Sequence, residues 1–208
     1  MDSTLSLNEY LNKIKAGEVV LVEHSSISKH PAVFYAIGRT YGWENLLVID
    51  VIDSILPIVR SLTLSKIEIP QNIARIKIGG TSNWGKIITE IDPHTDPGIF
   101  LSKFAWHRNS YCAKREKTIT VTLNFERLIP IQEMSRYFTL LLSNLEASYL
   151  GDPRGIVFHF INYEVSERGY TSMLEEIATR ILRITGWEIL IRKSPQLHEE
   201  NQKLKMIL

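Results

Sequence analysis

The segment from Gly17 to Gly42, GEVVLVEHSSISKHPAVFYAIGRTYG, constrains this chain more than any other stretch. Val19 to Val22 is a continuous apolar run, the pattern of a strand buried on both faces of a parallel sheet. A polar turn follows, and then Pro31, which suits the first helical position because its missing N–H would have no partner there. Val33, Phe34, Ile37 and Tyr41 recur at helical spacing until Gly42 stops the helix. Leu46 to Val51 (LLVIDV) is a second buried strand. Strand, helix and doubly buried strand in this order specify a βαβ unit, and hence a mostly parallel sheet covered on both faces.

The remaining pattern extends that unit. Leu5, Leu7, Leu11 and Ile14 predict an amphipathic helix over Leu5–Lys15, and Ile55–Leu64 a short helix with Pro57 in its first turn. Ala74–Ile78 and Ile87–Ile91 alternate as strands do. Gly79, Gly80, Asn83 and Gly85 between them predict a hairpin or two short strands around a flexible loop. Asp92–Gly98 (DPHTDPG) is turn chemistry. Beyond it the spacing predicts a helix over 99–115, a β-branched strand over 118–125 and a long helix over 131–150 broken by Gly151, Asp152 and Pro153. A strand over 156–161, a helix over 172–184 and a last strand over 188–191 complete the series. The expectation is one three-layer α/β/α domain over residues 1–194 with about six or seven strands, followed by a tail or short helix over 195–208.

Composition narrows the function classes. A chain of 208 residues is long enough for one domain with a sizeable core. Its net charge of +1 supplies no global field to recruit nucleic acid or an anionic membrane. Cys112 stands alone, which excludes an intramolecular disulfide and a thiol zinc cluster. No apolar run reaches the ~18 residues that span a bilayer. The start, MDSTLSLNEYLNKIKAG, lacks the basic beginning and apolar centre of a signal peptide, so a cytoplasmic protein without a membrane partner is expected.

A leading helix, GEVVLVE, a turn, a helix and LLVIDV, in that order, resemble the RecA/KaiC-like ATPase core from about Leu5 to Ile191. More narrowly, the chain looks like a hyperthermophilic archaeal family known as a domain of unknown function, a relative of those ATPases that lost the nucleotide site. A phosphate loop needs G-x-x-x-x-G-K-[ST]. Anchored on Lys29, that pattern puts Glu23 and Ser28 on the glycines and His30 on the hydroxyl residue. Glycines let backbone N–H groups turn inward toward phosphates, whereas His24–Ser28 (HSSIS) lacks that freedom. Glu23 is read as a negative charge near the phosphate position. Two unit charges about 4 Å apart repel by ~4 kcal/mol at an effective dielectric of about 20. The resemblance also implies a magnesium-organising Asp at the end of a buried strand. Asn124 stands near that place, with Glu126 two residues on.

The expectation is therefore a non-catalytic interaction or regulatory protein that needs no cofactor, with an unknown protein partner. The resemblance implies a homo-oligomer, most simply a dimer, and Trp84, Leu204, Ile207 and Leu208 are the interface candidates. The first alternative is an ATP- and magnesium-dependent module with a divergent loop. It would draw on Ser26, Ser28, Lys29, His30, Asp50, Asn124 and Glu126. The preferred reading of the serines is as caps of the following helix, and of Asp50 with Asp53 as caps of the next one. A second alternative is a nucleic-acid module using the basic, aromatic stretch Trp106–Lys117, in particular Arg108, Lys114, Arg115 and Lys117. Glu90, Asp92, His94, Asp96 and His107 are metal-capable residue types, but their spacing matches no metal motif and suits turns. No G-x-S-x-G elbow occurs, and Cys112 falls inside a predicted helix.

Overall fold

The computed structural model describes residues 5–206. A single nine-stranded sheet runs in the order β4-β3-β2-β5-β6-β1-β7-β8-β9. The strands are β1 (Val19–His24), β2 (Leu46–Val51), β3 (Ala74–Ile78), β4 (Lys86–Ile91), β5 (Thr118–Leu123), β6 (Gly155–Asn162), β7 (Arg180–Thr185), β8 (Glu188–Lys193) and β9 (Lys203–Leu204). All pairings from β4 to β7 are parallel, and β8 and β9 are antiparallel additions at one edge. The helices are α1 (Leu7–Leu11), α2 (His30–Tyr41), α3 (Ile55–Leu64), α4 (Pro97–Cys112), α5 (Leu128–Ile131), α6 (Arg136–Ala147) and α7 (Arg168–Ile177).

The two-residue period of the strands splits the core into two layers. Val20, Val22, Val48 and Val121 face α1, α2 and α3 together with Phe34, Ile37 and Ile58. Val19, Leu21, Leu47 and Ile49 face α4 to α7 together with Phe100, Phe104, Phe138 and Tyr170. Side chains on neighbouring β1 positions therefore belong to opposite sides of the molecule. Local chemistry sets the helix ends. Ser6 and Glu9 form a capping box on α1, Asp96 caps α4 ahead of Pro97, and Gly42 ends α2 at φ 86°.

Two segments depart from the sequence reading, and two more decide between its alternatives. Residues 180–185 form β7, not the end of a helix: α7 stops at Ile177, and the apolar residues that follow pair with β1. The long helix expected over 131–150 is two helices. Glu133 and Met134 take the left-handed conformation between them, at φ 54° and 57°. Of the tail or short helix expected over 195–208, the described residues 195–206 run through a 3-10 turn at Leu197–Glu199 into β9 of the sheet, where Leu204 is buried. Ile207 and Leu208 lie outside the described residues. Finally, of the hairpin and the two short strands expected around Gly79–Gly85, the structure has the two strands, and β3 and β4 pair in parallel.

The seven-residue return between β3 and β4 follows from its glycines. Gly79, Gly80 and Gly85 all have positive φ, which only glycine adopts freely, and they make the reversals at its two ends. Between them the chain runs back across the α3 side of the sheet. Asp53 accepts the N–H groups of Thr81 and Ser82, at 2.6 and 3.0 Å. The fully buried Arg75 donates to the carbonyls of Ser82 (3.0 Å) and Trp84 (2.9 Å). The same guanidinium pairs with Asp50 (2.5 Å) and Asp53 (2.8 Å).

Candidate functional site

In open α/β sheets ligands bind beyond the carboxyl ends of the strands, where connections leave on opposite faces. Here β1 leaves through α2 on one face and β6 leaves through α7 on the other. The ends of β1, β5 and β6 meet at that place and bring together His24, Ser26, His30, Asn124, Glu126, Asn162 and Glu164.

The turn after β1 contributes backbone and two imidazoles. His24 is buried, and its Nδ1 donates to the Ser25 carbonyl at 3.1 Å. Its Nε2 lies 3.4 Å from the Asn124 side-chain amide. The neutral ring then presents Nε2 as an acceptor, which calls for the amide NH2 on that side. His30 stacks on His24 with ring centroids 4.0 Å apart. Burial and then the His24 charge push the His30 pKa down to about 3, and burial likewise lowers His24. The His30 ring is therefore neutral across the physiological range, and burial favours the neutral form of His24.

The turn's amides are largely engaged within the chain. The Ser26 N–H donates to the Glu164 carboxylate at 2.8 Å, and its hydroxyl accepts from the Asn162 amide at 3.0 Å. Hydrogen bonds from the Ser26 side chain and backbone lower the Glu164 pKa, so this carboxylate is charged. The Ser28 N–H and hydroxyl both return to the Ser25 carbonyl. The Lys29 N–H donates to Gly186 in the β7–β8 turn at 2.9 Å, and the Lys29 ammonium lies 5.2 Å from the Trp187 ring centroid. Among the described residues, the non-glycine positive-φ positions all lie outside Glu23–Pro31. The turn therefore has no left-handed residue with which to build a nest of converging N–H groups.

The β5 end is strained and acidic. Asn124 sits at φ 57°, in the left-handed region, and opens the short turn carrying Glu126. One Glu126 oxygen accepts from the Asn162 N–H at 3.0 Å. The other is buried without a hydrogen-bond partner. Burial raises the Glu126 pKa to about 7, against the hydrogen bond from Asn162, so this carboxyl titrates near neutrality.

Two charges expected here lie elsewhere. The Glu23 side chain points to the opposite face from α2, where it is fully buried and meets Arg183 (2.8 Å) and Arg192 (3.1 Å). Burial, with Glu175 adjacent, raises its pKa, and the two arginines oppose that rise. The alternation of β1 thus removes the expected repulsion between Glu23 and a phosphate at the turn. Asp50 does not face the cleft: it is fully buried, pairs with Arg75 and accepts the Ile55 N–H at 3.0 Å as the helix-capping reading anticipated. Its pKa is raised by burial against the Arg75 charge.

The other candidates are dispersed. Trp84 is half-buried and packs against the α3-side core. Asp92 caps its own turn at His94, and Asp96 caps α4. Among the described residues no three His, Cys, Asp or Glu side chains converge. Arg108 is buried over the Tyr149 ring at 3.8 Å and is not part of an exposed basic face. Cys112 is buried, and no helix among the described residues is long and apolar enough to cross a membrane. Asn162 and Glu164 escaped the sequence reading. Their signal was positional: the strand over 156–161 is followed at once by Asn162, at the carboxyl end where ligands sit.

The mostly parallel sheet with helices on both faces has the fold of a RecA/KaiC-like α/β domain, as its likeness to a solved structure shows. The chain superposes with a TM-score of 0.56 on the KaiC-like protein PH0186 from the hyperthermophilic archaeon Pyrococcus horikoshii OT3. The two share 14% identity over 98% of this chain and 92% of that one. The match to the Pyrococcus protein of unknown function family, DUF257, runs over residues 9–205, and the chain belongs to that family. It is also similar to PH0250 from Pyrococcus horikoshii OT3, at a TM-score of 0.80 and 23% identity, over 98% of this chain and all of that one. A third similar structure is the uncharacterized protein PH0321 from Pyrococcus horikoshii in complex with an unknown peptide. It matches at a TM-score of 0.52 and 15% identity over 92% of both chains. No curated protein matches this chain.

Proposed function

We propose that this chain is a non-catalytic interaction protein, a RecA/KaiC-like domain in which the ancestral nucleotide turn has been rewired into a structural latch. The observation that carries this reading is the Glu164 carboxylate on the Ser26 N–H, at 2.8 Å. An internal anion takes a backbone donor of the turn that leads into α2, four residues ahead of His30, where a phosphate would seek one. Two further features support it. The Lys29 ammonium lies over the Trp187 ring, and the turn lacks the left-handed residues that converge amides. The residues present therefore do not fit a triphosphate. PH0321 was obtained with a peptide, in keeping with a protein partner for this fold. Homo-dimerisation belongs to the same proposal, and light scattering tests it.

One observation favours a second reading, a nucleotide-binding module resting on Lys29, Asn124 and Glu126. The free, buried Glu126 oxygen beside Asn124 offers an acceptor near neutral pH. A thermal-shift screen with ATP, ADP and GTP plus magnesium separates the two, because a ligand that binds only the folded state raises its apparent stability. The interaction reading predicts no shift at millimolar nucleotide. A concentration-dependent shift abolished by Glu126→Gln establishes the second reading instead.

A further inference from the structure

Among the described residues, no strand pairs with the outer side of β4 at the end of the strand order. Lys86 and Ile87 are exposed there, and Ile88 and Thr89 are half-buried. Near the amino ends of β3 and β4, away from the cluster above, lies a groove of about 530 Å³. Its walls include Trp43, Glu44, Lys86, Ile88, Tyr111 and Arg115. Ile88, Tyr111 and Arg115 also line a second depression of about 390 Å³ that follows the last turns of α4 past Trp106 and Lys114. The two are therefore parts of one trough beside the edge strand. Trp106 is 64% exposed. The Arg115 guanidinium is held 3.6 Å over the Tyr111 ring.

We propose that this edge binds an extended, acidic peptide segment of a partner protein by adding it as a tenth strand beside β4. The proposal rests on the interaction reading above and names its partner surface. An edge strand leaves unpaired N–H and C=O groups on its free side, and an added strand satisfies them while its alternate side chains enter neighbouring pockets. Within β4, Ile87, Ile88 and Thr89 carry no charge that would repel a strand, Lys86 opens it, and the exposed Glu90 near its end is paired with Lys77 at 3.0 Å. Alternate residues of the peptide meet Trp106 and Tyr111 on the α4 side. Carboxylates meet Lys86, Lys114 and Arg115, which face the single wall acid Glu44. This positive excess is local, since the whole chain carries only +1. A second copy of the chain, paired through the same patch, would set two basic surfaces against each other.

The test is fluorescence anisotropy on the full-length protein with a labelled ten-residue peptide alternating Glu with Val, Thr and Phe. Its controls are a Lys-for-Glu version, two versions N-methylated on alternate amides, and oligo-dT. The expected result is saturable binding, weakened at least ~10-fold in the lysine peptide and in the Lys114→Glu/Arg115→Glu protein. Only one of the two N-methylated peptides loses binding, because alternate amides of an added strand face β4. Amide hydrogen exchange of the unmodified protein slows at residues 86–90 when the peptide is bound, which supports the proposal without any variant. No peptide binding overturns the proposal, as does equal binding of both N-methylated peptides. So do oligo-dT binding as tight as the peptide's, which makes the trough a nucleic-acid site, and a dimer dissolved by Trp106→Glu, which makes it a self-association face. ATP binding by the same preparation overturns the non-catalytic reading and leaves a positive peptide result standing.

Discussion

Replacing Arg75 with Met tests how the β3–β4 return is held in place. The wild-type guanidinium is fully buried and serves four partners at once: Asp50, Asp53 and the carbonyls of Ser82 and Trp84. Methionine fills much of the volume and removes the charge. Removing one member of a buried ion pair costs about 3–5 kcal/mol, chiefly because the remaining carboxylate stays buried and uncompensated. The two carbonyls lose charged donors as well, but Asp53 retains the Thr81 and Ser82 amides and is partly exposed, which limits the total. The expected loss is therefore about 4 kcal/mol at pH 7 by guanidinium denaturation, with the slope unchanged. The pH dependence gives a second check. The Asp50 pKa is already raised by burial, and loss of Arg75 raises it further. Protonating Asp50 relieves the uncompensated charge, so the variant's deficit grows from pH 4.5 to pH 7. Arg75→Met/Asp50→Leu should recover part of the loss. A single variant within about 1 kcal/mol of wild type at pH 7, or a double variant that simply sums the two single losses, would refute the reasoning.

Three more outcomes follow from the geometry. Glu126 has a folded pKa of about 7 against a reference of 4.5, so its contribution favours the folded state at low pH and is lost as pH rises through about 7. Wild-type stability should fall by about 2.5 kcal/mol between pH 5 and pH 8 relative to Glu126→Gln, and parallel pH profiles would contradict this. A chain ending at Ser194 loses β9 and the buried Glu199 that pairs with Arg180 at 3.1 Å, so its denaturation midpoint should drop sharply; an unchanged midpoint would show that the tail is dispensable. Gly155→Ala places a Cβ 1.8 Å from the Thr118 carbonyl oxygen of the neighbouring strand, and soluble yield or denaturant midpoint should fall by the equivalent of more than about 3 kcal/mol.

The sequence exposed the strands buried on both faces because apolar continuity needs no knowledge of neighbours. Val19–Val22, Leu46–Val51 and Ile156–Ile161 all lie inside observed strands. Beyond Leu174 and Ile177, Ile181 and Ile184 continue at helical spacing with no glycine or proline between, so the helix-to-strand change at Ala178 left no local mark. Only pairing with β1 decides it. The parallel β3–β4 pair was hidden for a different reason. A short glycine-bearing connection normally makes a hairpin, whereas here Asp53 holds it extended from 28 and 29 residues before Thr81 and Ser82, and Arg75 from 7 and 9 residues before Ser82 and Trp84. At the site, the unusual turn Glu23–Pro31 was visible as missing glycines, and the Asp50 cap was among the readings weighed. The Glu164 and Trp187 contacts join residues more than a hundred positions from that turn, and no spacing rule links them.

The most direct measurement of the central claim is isothermal titration of magnesium–ATP into the full-length protein, with backbone amide NMR shifts followed at Ser26, Lys29 and His30. The account predicts no saturable heat up to about 1 mM ATP and no shift at those amides, because Glu164 and Gly186 already hold the Ser26 and Lys29 N–H groups. A micromolar dissociation constant accompanied by large shifts at Ser26 and Lys29 would contradict it.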